Sequence, residues 1–132
     1  MPEVEPLAQV RVRISELIAG SAVPEDPIHS TNTLEWLLKF EPDADEALQL
    51  AALGHDIDRA QEASKVLRAD FSDYDDFKAA HARHSAEILI EILRQCRVGD
   101  PSLADELYRL VCLHEGGGDA RPDLLVDVDR RP

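Results

Sequence analysis

Apolar residues recur three and four positions apart along nearly the whole chain, and no run alternates polar with apolar for long enough to make a half-buried strand. That regularity leaves few folds open. Helices with one apolar stripe must bury those stripes against one another, so the expected class is all-α, a compact bundle of about five to seven helices. Leu7, Val10, Ile14, Leu17 and Ile18 define a first helix, which Gly20 ends. "SAVPEDP" reads as a loop with two prolines. Ser30 or Thr31 is placed to cap a second helix carrying Leu34, Leu37 and Leu38, which stops before Pro42. Asp43 is the expected cap of a third, running through Ala47, Leu48, Ala51 and Ala52 to Gly54. Residues 60–72 are ambiguous, with a short helix around Ala63 to Leu67 and then a loop as the expectation. A long helix is predicted from about Tyr74 to Cys96, with Phe77, Ile88, Leu89, Ile92 and Leu93 on its apolar side. Pro101 opens another through Leu103, Leu107, Leu110 and Val111, "HEGGGDARPD" breaks it, and "LLVDVDRRP" begins a last helical piece.

Composition narrows the function. A chain of 132 residues is one domain by size, residues 1–132, and with 44% hydrophobic residues it can bury a core. No window holds the ~18 apolar residues that a bilayer crossing needs, and "MPEVEPLAQV" lacks a signal-peptide pattern, so a cytoplasmic location is expected. Cys96 and Cys112 make no disulfide framework and read as buried thiols. The net charge of −13 argues against a nucleic-acid polymer as partner, though not against a single nucleotide.

The polar residues that break the pattern are concentrated. "AALGHDIDRA" ends an apolar helix in His55 and Asp56, with Asp58 and Arg59 immediately after. His29, His114 and His55 fall at predicted helix ends or junctions; His81 and His84 lie one turn apart near the start of the long helix. Imidazole and carboxylate are the natural ligands of zinc, iron, manganese and similar ions, and helix ends meeting at one mouth of a bundle can gather them. Taken singly, each is also an ordinary polar helix end.

Their order carries a resemblance. "IHSTNTLEWLL", "LAALGHDID", "HARHSAEIL", "LVCLHEGGGD" and "LLVDVDR" follow one another as the signature segments of the HD-domain superfamily of metal-dependent phosphohydrolases do, and the resemblance spans about Ile28 to Arg130. It implies an all-α fold with a site among helix ends. It implies that His29, His55, Asp56 and Asp129 hold a first divalent transition-metal ion (Mn, Fe, Co, Ni or Zn). Asp56 would bridge to a second ion, which His81 and His114 complete. His84 is the alternative to His81, and Asp127 the alternative to Asp129. Only Arg130, Arg131 and Pro132 follow Asp129, an unusually short end that implies either support from a partner subunit, making a homodimer possible, or a weakened first metal site.

On this reading Asp58 and Arg59 are the candidate catalytic residues. Asp58 orients a ligand histidine or takes a proton from water, and Arg59 holds an anionic group of the substrate, with Lys78 and Arg83 as further candidates for that task. The expected reaction is hydrolysis of a small phosphate mono- or diester by a metal-activated water. Two alternatives remain open: a di-iron oxygenase with the same ligand set, and a non-catalytic metal-binding or regulatory module.

Overall fold

The computed structural model describes residues 6–22, 25–61 and 65–113, and all regular structure among them is helical. Five α-helices run in order: α1 Pro6–Ala19, α2 Glu25–Phe40, α3 Glu46–Gly54, α4 Tyr74–Gln95 and α5 Pro101–Leu113. Two short 3-10 turns, Ile57–Ala60 and Arg68–Asp70, lie between α3 and α4. The all-α expectation therefore holds.

α3 is the centre of the packing. Ala47, Leu48, Leu50, Ala51, Ala52, Leu53 and Gly54 are all buried, so the helix is covered on every side. Its small residues let α2 and α5 pack closely against it, while α4 lies along α5 and against the first 3-10 turn. Leu89, Ile92 and Leu93 of α4, Leu107, Leu110 and Val111 of α5, Leu37 of α2 and Val10 and Ile14 of α1 complete one continuous core. At the surface the Arg11 guanidinium donates to Glu46 (2.8 Å) and Gln49 (2.7 Å), tying α1 to the start of α3.

Several boundaries differ from the sequence reading. "SAVPEDP" is not all loop, because α2 already begins at Glu25. Pro27 fits there, since a first-turn residue needs no intrahelical N–H partner. Neither Ser30 nor Thr31 is a cap: both lie inside α2, where Ser30 is buried and its hydroxyl donates to the Leu53 carbonyl of α3. His29 accordingly sits within α2 and not ahead of it. The cap of α3 is Asp45, whose carboxylate accepts the Leu48 N–H at 3.1 Å, and not Asp43. No helix covers residues 65–67, and the turn in this stretch is at Arg68–Asp70. Cys96 and Cys112 are half-buried, more open than expected.

α4 ends in a Schellman turn. Arg97 takes a left-handed conformation (φ 62°), the Arg97 N–H reaches the Arg94 carbonyl at 3.1 Å and the Val98 N–H reaches the Leu93 carbonyl at 2.9 Å. Asp100 then caps α5 through the N–H groups of Ser102 (3.0 Å) and Leu103 (3.2 Å).

Candidate metal centre

The end of α3 is built to present two polar side chains from inside the core. At Gly54 the helix comes so close to α4 that an added Cβ would lie 2.6 Å from Leu89 Cδ2. His55 follows as the C-cap, buried, with its Nδ1 3.0 Å from the Ala52 carbonyl. A carbonyl only accepts, so Nδ1 carries the proton and Nε2 faces outward. The bond from Ser30 to Leu53 pins α2 to the same helix end, and this brings His29 edge-on to His55, ring centroids 5.6 Å apart.

Asp56 is the hub. His55 Nε2 stands 3.2 Å and His29 Nε2 3.6 Å from its Oδ2, and His81 Nε2 stands 3.1 Å from its Oδ1. One donor atom each from His29, His55 and Asp56 lies within 4.8 Å of the others, a spacing that one ion can span. His81, two turns into α4, completes the ring around the carboxylate.

Behind the hub lies a second carboxylate. Asp58 is buried on the first 3-10 turn, and its backbone N–H donates to the Ser85 hydroxyl at 3.0 Å. Its Oδ2 accepts from His81 Nδ1 at 2.8 Å. Its Oδ1 accepts from the Val66 N–H at 3.1 Å and from His84 Nδ1. Asp58 thus fixes the tautomer and tilt of His81, the part a carboxylate plays behind a metal-binding imidazole. His84 turns to Asp58, and His81 is the one of the two that reaches Asp56.

The electrostatics follow. Burial pushes the Asp56 carboxyl up, but the charge and hydrogen bond of His55, with the same from His81, outweigh it and hold Asp56 well below the usual carboxylate range. Burial likewise raises Asp58, and its bonds to His81, His84 and Val66 bring it below the ordinary value. Burial lowers His81, yet its bonds to Asp56 and Asp58 win and lift it from 6.5 to about 9.

His29, Asp56, Asp58 and His81 line an open cleft of about 610 Å³. Arg59 and Lys78, both anticipated, line it as well, together with Lys65, Arg68, Tyr74 and Phe77, which were not. A signal for Tyr74 and Phe77 was present: positions 74, 77, 78 and 81 share one face of a helix. Arg83 does not line this cleft; two residues on from His81 it lies on the opposite side of α4, and its charge bears on Tyr108 and Cys112 of α5. His114, Asp127 and Asp129 lie outside the described residues.

Fold and site together define an all-helical domain with a histidine–aspartate cluster exposed to a cation-walled cleft. The chain belongs to a family described as a domain of unknown function (DUF4202), whose model matches residues 13–129. No curated protein and no solved structure matches the chain.

Proposed function

We propose that this chain is a metal-dependent hydrolase of a small phosphate mono- or diester, with His29, His55, Asp56 and His81 holding one or two divalent transition-metal ions. The observation that carries the reading is a shortage of protons. His55 and His81 each set both ring nitrogens against acceptors: Nδ1 against the Ala52 carbonyl or Asp58, Nε2 against Asp56. A neutral imidazole has one N–H, so each ring must become an imidazolium or a cation must stand where the Nε2 proton would. With His29 aimed at the same carboxylate oxygen as His55, one divalent ion would serve those two rings together, and a second at Oδ1 would serve His81. The ordered resemblance to HD-domain phosphohydrolases supports the same ligands.

Bound there, a divalent ion supplies Lewis-acid chemistry, acidifying water and drawing charge from phosphoryl oxygens. The chain's own residues do the rest. Asp58 keeps His81 in the tautomer whose Nε2 faces Asp56. Arg59, exposed on the cleft wall, attracts the phosphate and can bind it through two parallel hydrogen bonds.

Protein stripped of metal and resupplied with Mn, Co or Ni should hydrolyse p-nitrophenyl phosphate or bis(p-nitrophenyl) phosphate without oxygen, and Asp56→Ala should abolish both uptake and turnover. A chain that takes up none of these ions, nor Fe or Zn, at micromolar concentration would sink the proposal. Iron-dependent oxygen consumption would support the oxygenase instead.

A further inference from the structure

We infer that the substrate carries a second anionic group, held away from the reacting one by Arg68 and Lys78 beside Tyr74. This rests on the phosphate-ester reading above. The chain as a whole is acidic, 27 Asp and Glu against 14 Lys and Arg, yet the cleft is walled by Arg59, Lys65, Arg68 and Lys78. Among the described residues its only acids are Asp56 and Asp58, both engaged by histidines. The acids of the neighbouring segment, Asp70, Asp73, Asp75 and Asp76, do not line it. Among the described residues charge is therefore sorted, with cations toward the cleft and the acids of this segment away from it.

The cations are also spread out. From the cluster an aromatic row runs along α4: Phe77 lies 6.3 Å from the His81 ring and Tyr74 lies 6.0 Å from Phe77. At its far end the Arg68 guanidinium stands 5.6 Å and the Lys78 ammonium 5.4 Å from the Tyr74 ring. Lys78 reaches Tyr74 because helical side chains lean toward the N-terminus. Tyr74 and His81 are two turns apart, so the second cationic locus lies about 10 Å along the helix from the cluster. A single phosphate cannot touch both places. A molecule with an apolar or flat middle over Phe77 and an anion at each end can.

Alkylphosphonates, whose P–C bond resists hydrolysis, separate the possibilities. Titrating the manganese-supplied protein calorimetrically with hexylphosphonate and with hexane bisphosphonate should give the bisphosphonate an advantage of about tenfold or more in Kd. Arg68→Ala, with its fold checked by circular dichroism, should erase that advantage and change hexylphosphonate binding less than threefold. Equal affinities for the two compounds would overturn the inference and leave the phosphate reading standing. An advantage that survives Arg68→Ala would overturn it too, by putting the second anion elsewhere. If neither compound binds, the phosphate reading falls and this inference with it.

Discussion

His81 and His84 are one turn apart on the same helix and do different things. His81 touches both carboxylates, while His84 donates only to the inner one, Asp58, among its described bonds. His81→Ala should therefore lower metal affinity by tenfold or more, the usual scale for losing a ligand or its support. His84→Ala should cost less, and His84→Asn, which keeps a donor near Nδ1, should restore most of it. Equilibrium dialysis with Mn or Co decides; a larger loss from His84→Ala would reverse the assignment. The raised pKa of His81, about 9, has its own consequence. In the metal-free chain, folding holds this proton more tightly than the unfolded chain does, so the stabilisation is complete below about pH 6.5 and is lost as pH rises through about 9. Asp56 and Asp58, depressed, act in the opposite sense and lose their contribution as pH falls through the acid range. Denaturant titrations of metal-free protein at pH 6 and pH 9.5 should show the alkaline loss, and His81→Gln should remove it. Metal affinity should run the other way, rising with pH up to about 9, because an ion must displace that proton.

Among elements, α3 and its contact with α4 set the site. Gly54→Ala puts a methyl against Leu89, which is fully buried and has no easy retreat. Overpacking of this kind costs about 1–3 kcal/mol, and part of the strain should pass to His55 next in the chain. Gly54→Ala should thus lower stability and metal affinity together; lowered stability with unchanged affinity would show that the helix end relaxes independently of the site. The helices themselves were legible in the sequence, because α1, α4 and α5 each keep an apolar stripe at helical spacing. The start of α2 was not. A loop rich in proline and acids looks the same as a first turn that tolerates proline, and only the Ser30 bond to α3 distinguishes them. The cap of α3 was read two residues early, at Asp43; Ala44 and Ala47 are buried and the Asp45 carboxylate takes the Leu48 N–H.

For the whole molecule, the centre joins four segments: α2, the end of α3, the first 3-10 turn and α4. A ligand bound only by the folded chain raises its stability by mass action, ~2.7 kcal/mol at a hundred times Kd. Saturating Mn or Co should accordingly raise the melting temperature by several degrees, and Asp56→Ala should abolish the rise; an unchanged midpoint in the parent protein would argue against an ion bridging these segments. The pairing of His55 with Asp56 could be read from a helix ending in polar residues. The burial of Asp58 and the gathering of Lys65 and Arg68 could not, since each depends on where distant segments pack, whereas the turning away of Arg83 was legible from its position two residues after His81 on one helix.

α3 stops at the cluster with its C-terminal end, where the Ala52 and Leu53 carbonyls take hydrogen bonds from His55 and Ser30. The aligned peptide dipoles of a helix leave about half a negative charge at such an end. The fold therefore adds a standing field to the formal charge of Asp56. That field draws a cation toward the cluster and repels a bare anion from it. A phosphate approaching the metal-free chain meets the negative pole of α3 behind Asp56, with attraction only from the cations of the cleft wall. Order of binding follows, with ion first and phosphate second, so phosphonate affinity should depend steeply on metal occupancy while metal uptake proceeds without phosphonate.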